Sequence, residues 1–265
     1  MRALLLAAGL GTRLRPLTNH VPKCLIPIHG RPLLDYWLEL LVGNGIVEIL
    51  VNTHYFAELV NEYVARSTWA KNVTVVFEES LLGTGGTVLA NRDFFRNEPL
   101  LVAHADNLTI FDPAAFLKAH ENRPVGTEIT MMVFETPVPE SCGIVELDRH
   151  GVVQAFHEKV KSPPANLANA AVYILEPSVI GFMQGLGKSV IDLSTEVIPH
   201  FLGRISTFRN ARYHRDIGTV QSWAEAQQDF PHSEASAQNA LAWSSVLASV
   251  GGQFDAAIRQ ASAAA

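Results

Sequence analysis

Cysteine is scarce in these 265 residues. Only Cys24 and Cys142 are present, far apart and outside any Cys-x-x-Cys pair, so neither a disulfide framework nor a thiolate zinc site can be built from them. Long apolar runs are missing too, and none approaches the roughly 20 residues of a membrane-spanning helix. There is no basic excess. Twenty Lys and Arg stand against 26 Asp and Glu, a formal net charge of −6, which argues against a protein that tracks nucleic acid by bulk charge. Charged residues make up only 17% of the chain and hydrophobic ones 48%. That balance excludes disorder along the whole length. The length suits one large α/β domain or two small ones. The expected compartment is the cytoplasm, with both thiols reduced.

The apolar run Leu4-Leu5-Leu6-Ala7 is followed at once by Gly9-Leu10-Gly11. It reads as a first buried strand and not as the core of a signal peptide. The pattern then predicts a helix over 32–41, with Leu33, Leu34, Trp37, Leu38 and Leu41 on one face and Gly43-Asn44-Gly45 as its stop. Strands are expected at 47–51, 73–77 and 100–104, a helix at 58–66, and a glycine turn at 83–86 leading into a short helix. Such alternation implies a doubly wound, mostly parallel sheet. In these sheets ligands bind at the carboxyl ends of the strands. Three polar clusters follow strands here, at 9–23, 78–86 and 105–107.

The second half is β-rich. Strands are expected at 129–134, 143–147, 152–157 and 168–175, short helices at 178–183 and 194–201, further strands at 205–208 and 213–217, and a helix at 220–228. Residues 1–230 are expected to form one domain. Residues 231–265, dominated by Ala and Ser, form a C-terminal tail. There Ala240, Leu241, Trp243, Leu247 and Val250 stand at near-helical spacing, which predicts a helical appendage docked on the body or on a second subunit.

The most informative stretch is Leu6-Ala7-Ala8-Gly9-Leu10-Gly11-Thr12-Arg13-Leu14-Arg15-Pro16. Glycines there let backbone amides approach phosphate oxygens, and Arg13 adds a charged fork. It is not a Walker A loop, because no Gly-Lys-Ser/Thr follows at the right spacing. It is not a dinucleotide fingerprint either. Leu14 stands where the third glycine would be, and the second strand ends in Asn52-Thr53-His54 with no acidic residue.

Together with Pro22-Lys23-Cys24-Leu25-Ile26-Pro27-Ile28, this stretch resembles the signature of the sugar-1-phosphate nucleotidyltransferases, also called nucleoside-diphosphate-sugar pyrophosphorylases. The chain is most similar to their mannose-1-phosphate guanylyltransferase-like branch, which includes heptose-1-phosphate guanylyltransferases. The resemblance covers about residues 1–229. It implies a Rossmann-like α/β fold with a β-rich sugar-binding part. The implied substrates are a nucleoside triphosphate and a sugar-1-phosphate, joined with release of pyrophosphate. Mg²⁺ is the implied cofactor. Neither nucleic acid nor membrane is implied as a partner, and a homo-oligomer is possible.

The resemblance also implies roles. Arg13 would clamp the triphosphate and the departing pyrophosphate, and Lys23 would contact the reacting phosphates. Ala7, Ala8, Gly9, Gly11 and Thr12 would bind the nucleotide, with Glu79, Gly83 and Thr84 around the base loop Leu82-Gly83-Thr84-Gly85-Gly86. Asp106, in Ala105-Asp106-Asn107, and Asp216, in His214-Arg215-Asp216-Ile217-Gly218-Thr219, would hold the metal. Gly143, Glu158, Lys159 and Asn169 would bind the sugar phosphate; Ala171 stands in place of a family glycine.

A carboxylate at Glu78 or Glu79 can accept from both N1–H and the 2-amino group of guanine. Uracil and thymine offer one imide donor between two carbonyls, so GTP is expected as the nucleotide, and the resemblance implies a manno-sugar phosphate as the second substrate. The alternatives are uridylyl, thymidylyl or cytidylyl transfer to another phosphosugar or phosphoalcohol, or a non-catalytic regulatory subunit that binds sugar nucleotides.

Overall fold

A computed structural model describes residues 1–264. They form a mixed α/β fold with a mostly parallel central sheet and β-rich pairing in the second half, as the sequence pattern implies. The chain divides into two compact units, one comprising 1–4, 81–103 and 110–214, the other 5–80, 104–109 and 215–265.

In the second of these units the strand Ile49–Thr53 pairs in parallel with Val73–Phe77, Asn52 opposite Val76. The first of these strands starts two residues later than the apolar pattern suggests. Val47 and Glu48 are exposed, whereas the polar Asn52 and Thr53 are buried and hydrogen-bonded. The segment 8–27, which contains the polar cluster 9–23, is tightly built. It holds three short 3-10 turns, Thr12–Leu14, Leu17–Asn19 and Lys23–Leu25, and Leu14, Leu17, Val21 and Leu25 anchor it by complete burial. A small hairpin, Pro27–Ile28 with Arg31–Pro32, leads into the helix Leu33–Val42, whose Leu33, Leu34, Trp37, Leu38 and Leu41 are buried as the spacing predicts.

The C-terminal residues are part of this unit. The helix Val220–Asp229 starts at a Thr219–Ser222 capping box. The helix Ala237–Val250 packs against Ala57–Arg66, burying Trp243 and Val246. Leu241 lies outside the buried stripe and is exposed. A further helix that the sequence pattern does not single out, Gln253–Ala264, sets Phe254 edge-on to Trp243, 6.3 Å between ring centroids. Polar ties reinforce the docking. Asn239 donates to Asp35 Oδ1 at 2.8 Å and accepts from the Thr68 backbone at 2.8 Å. Asp35 is fully buried and also accepts from Arg31 and Trp69, each at 2.6 Å.

In the other unit the strand Leu167–Leu175 pairs antiparallel with Ile129–Glu135, Leu100–His104 and Gly143–Leu147. Gly143–Leu147 pairs with Val153–Glu158, and Ile205–Arg209 runs parallel to Ile129–Glu135. The register of Leu167–Leu175 is interrupted between Asn169 and Tyr173. The glycines of 83–86 form the first turn of the helix Gly83–Ala90. A Cβ on Gly83 would lie 2.5 Å from the Ile191 carbonyl, and one on Gly86 would collide with the Ser189 carbonyl, so glycine is what lets this turn approach 189–191.

Candidate active site

Asp106 follows the strand Leu100–His104. Ala105 N–H donates to the Leu6 carbonyl at 3.0 Å, and Ile217 N–H donates to the Asp106 carbonyl at 3.2 Å. These backbone ties bring two carboxylates far apart in sequence to one lysine. Lys23 Nζ, on the turn Lys23–Leu25, lies 2.6 Å from Asp106 Oδ2 and 3.1 Å from Asp216 Oδ1. Arg13 reaches the same cluster, 3.9 Å from Asp216 Oδ2. Burial works against the charge on Lys23, but Asp106 and Asp216 outweigh it and hold its pKa above the ordinary lysine value. Burial by itself would raise Asp106; the Lys23 ammonium, with a further contribution from His104, holds it below the usual carboxylate range.

Glycines shape this cluster. Gly218 has Asp216 Oδ2 2.8 Å and the Arg13 guanidinium 3.3 Å from where a Cβ would stand. Gly11, at φ +62°, would bring a Cβ within 2.8 Å of the Thr18 methyl and 3.3 Å of Lys23 Cβ. Its carbonyl accepts from Thr18 Oγ1 at 2.8 Å, and Thr12 opens the turn that follows. Gly9 has open space over its Cα. Ala7 N–H is already committed to Asn52 Oδ1 at 2.8 Å, and Ala8 is buried beside it in the chain. Asn52 Nδ2 in turn donates to Glu78 Oε1 at 3.0 Å. Glu78 is buried, whereas Glu79 is exposed.

The first unit gathers a second group. Gly143 lies against Glu158: a Cβ there would be 2.7 Å from Glu158 Oε2. Lys159 Nζ lies 3.4 Å from Glu158 Oε1, and Lys159 itself sits in the left-handed region at φ +50°. Asn169 donates to Tyr173 Oη at 2.6 Å and accepts from Ala171 N–H at 2.9 Å, folding the strand interruption around its own side chain. Burial, and the nearby Glu158 carboxylate to a lesser degree, raise the Tyr173 pKa. Thr84 Oγ1 accepts from Leu193 N–H at 2.8 Å, and so fixes the helix start after Gly83.

Three residues here escape a reading by motif. Asn52 registers in the sequence only as a missing acidic residue, although a polar residue inside the continuous run 49–53 is a visible anomaly. His104, 3.9 Å from Asp106 Oδ1, looks like an ordinary strand residue. The need for Gly218 is legible only once Asp216 and Arg13 are known to be neighbours. Both cysteines are free; burial first, and then Asp106, push the Cys24 thiol up to about 12, which makes it an inert thiol. Among the described residues, no helix is long and apolar enough to cross a membrane.

Cations on two neighbouring turns, Arg13 and Lys23, carboxylates at Asp106 and Asp216 and a separate polar group around Glu158 are residue types suited to chemistry on phosphate esters. The chain belongs to the nucleotidyl transferase family, whose model matches residues 2–233. It is 32% identical over 233 residues to the mannose-1-phosphate guanylyltransferase of Mycobacterium tuberculosis, covering 86% of this chain and 64% of that protein. It is 31% identical over 234 residues to the mannose-1-phosphate guanyltransferase of Schizosaccharomyces pombe, covering 84% and 62%. The Drosophila melanogaster mannose-1-phosphate guanylyltransferase catalytic subunit beta is 33% identical over 183 residues, covering 68% and 49%. The chain thus spans about half to two thirds of these curated relatives. Solved structures of HddC from Yersinia pseudotuberculosis, one complexed with GMP-PN, share the fold. Their TM-scores are 0.73 and 0.74 at 23% identity, covering 87% of this chain and 99% of theirs.

Proposed function

We propose that this protein transfers a nucleotidyl group from a nucleoside triphosphate to a sugar-1-phosphate, with GTP and mannose-1-phosphate or a related manno-sugar phosphate as the pair that fits best. The observation that carries this reading is the Lys23 ammonium held between Asp106 and Asp216, with Arg13 beside them. An oxygen of the sugar phosphate attacks the α-phosphorus, a new P–O bond forms, and the bond to the β-phosphate oxygen breaks to free pyrophosphate. Two anions must meet, so positive charge is needed more than a general base. Lys23 stabilises charge at the reacting phosphates and Arg13 takes the departing pyrophosphate. Backbone of the loop Ala7 to Thr12, including Ala8, Gly9 and Gly11, supports the nucleotide, as do Gly83 and Thr84. In the first unit, Lys159 holds the sugar phosphate, Glu158 and Asn169 hold sugar hydroxyls, and Gly143 leaves room for the ring.

The relatives named above support guanine as the base, and so does the chemistry of the carboxylates. Glu78, anchored by Asn52, is oriented before the base arrives and is the better reader of the guanine N1–H and 2-amino edge. Glu79, exposed next to it, remains the neighbouring contact.

The carboxylates also fit a divalent cation. Asp106 Oδ1 is buried and accepts no hydrogen bond from the described residues. Hard cations take such oxygens, and Mg²⁺ is commonly held by one or two carboxylates plus substrate phosphate. The described residues contain no group of three or more His, Cys, Asp or Glu placed to hold a metal, so in this proposal substrate oxygens would have to complete the coordination. Asp106 and Asp216 would hold Mg²⁺, which when bound supplies charge neutralisation at the phosphates.

Incubating the protein with GTP, Mg²⁺ and mannose-1-phosphate and following the mixture by ³¹P NMR tests the proposal. A pyrophosphodiester and pyrophosphate should appear together, and Lys23→Met should abolish both. GTP consumed to GDP and phosphate without a sugar product would contradict it.

A further inference from the structure

Asn52 is 2% exposed by residue, next to the buried Thr53, whose hydroxyl donates to the Val76 carbonyl of the paired strand. Its carboxamide is used at both ends. The oxygen accepts from Ala7 N–H, the first amide of the glycine loop, and the nitrogen donates to Glu78 Oε1. These two bonds fix the amide orientation, because the reversed amide would set N–H against N–H and oxygen against carboxylate. The backbone at Glu78 is held independently. Its N–H donates to the Thr53 carbonyl at 2.8 Å, and its carbonyl accepts from His54 Nδ1 at 2.8 Å. The two attachments therefore separate: main-chain bonds locate residue 78, and Asn52 turns its carboxylate.

We infer that Asn52 is a positioning residue for nucleobase recognition, its carboxamide coupling the start of the phosphate-binding loop to the orientation of the Glu78 carboxylate. This rests on the reading of Glu78 as the group that recognises the base. The chemistry required is narrow. An apolar residue of the same size would leave the Ala7 amide and the Glu78 carboxylate without their partner. Aspartate would keep the bond to Ala7 N–H and turn like charge toward Glu78. A carboxamide of this length offers the Ala7 amide an acceptor and the Glu78 carboxylate a donor together. Because Ala7 N–H is occupied by Asn52, Ala7 supports the nucleotide through placement of the loop and not through its own amide.

The discriminating variant is Asn52→Asp, which keeps volume and the loop bond while removing the donor to Glu78. Asn52→Ala is the second variant, should the first fold poorly. For each, kcat/KM is measured with GTP, ATP and UTP at saturating mannose-1-phosphate, and GTP and ATP affinities are measured by calorimetry. Melting curves and the KM for the sugar phosphate are recorded alongside. Wild type should prefer GTP. Both variants should lose about tenfold or more of that preference, the loss expected when a hydrogen bond to a charged group is removed. The loss should fall in the triphosphate KM and leave the KM for mannose-1-phosphate unchanged. A lower melting temperature or lower kcat with the GTP preference intact would show Asn52 to be structural only and overturn the inference. Glu78→Gln separates the two layers. If it abolishes the preference while Asn52→Asp does not, the positioning role alone fails. If Glu78→Gln leaves the preference intact, the reading of Glu78 fails and the role of Asn52 with it.

Discussion

At the scale of single residues the candidate site is a balance of charge around Lys23. Asp106→Asn removes one of the two carboxylates on its ammonium. Turnover should fall about a hundredfold or more, the scale of losing one preorganised electrostatic group, while the melting curve shows a folded protein. Near-normal turnover at saturating Mg²⁺ would sink the role given to Asp106. Gly218→Ala probes the same cluster by shape. The added methyl would press on Asp216 Oδ2 at 2.8 Å and on the Arg13 guanidinium, so steady-state kinetics should show a marked loss of kcat without unfolding. Unchanged kinetics would mean that this carboxylate geometry does not matter to the reaction. Arg13, Lys23 and Asp106 stand out in the sequence because glycine, cation and strand-end carboxylate are chemically conspicuous types. Asn52 does not, since its function depends on two partners 45 and 26 residues away.

At the scale of elements, strands were legible where apolar or β-branched residues dominate a short run, as in Leu100–His104 and Val73–Phe77. The start of Ile49–Thr53 was not, because buried polar residues at its end and exposed ones before it shift the run. The helix Pro113–Glu121 carries Asp112 as its cap and proline at its first turn, signals present in the sequence that stood between two louder strands. Its His120 makes an element-level prediction. His120 Nε2 lies 2.9 Å from Glu176 and Nδ1 2.8 Å from Thr130 Oγ1, joining the helix to the strand Ile129–Glu135 and to the residue before the helix Pro177–Gly185. Burial and Arg123 lower its pKa against the pull of Glu176 and Glu121. In the unfolded chain it titrates near the ordinary value of about 6.5. Below that pH the unfolded state binds the proton more readily, so stability should fall as pH falls through the window under about 6.5 and be indifferent to His120 above it. Thermal melts between pH 5 and 8 should show this acid slope reduced in His120→Gln; an equal slope in both proteins would refute the assignment.

At the scale of the whole molecule, the C-terminal residues bear on stability first. Asn239→Ala removes a donor to the fully buried Asp35 and should cost about 2 kcal/mol, the magnitude of a hydrogen bond to a charged group, measured by denaturant unfolding. Deletion after Asp229 should lower the melting temperature further, since Trp243, Val246 and Phe254 also lose their burial. The folded remainder should still release pyrophosphate; folded but inactive protein would show that the tail contributes to the reaction. The general α/β order was legible from strand and helix alternation, whereas the docking of 237–264 depends on distant partners such as Asp35 and Thr68 that no local spacing reveals. The most direct test of nucleotidyl transfer is a coupled pyrophosphate assay over a matrix of four triphosphates and several sugar-1-phosphates. Pyrophosphate should be released only when both substrates are present, and fastest with GTP and mannose-1-phosphate or a related manno-sugar phosphate. No release from any pair, by folded protein in saturating Mg²⁺, would contradict the account.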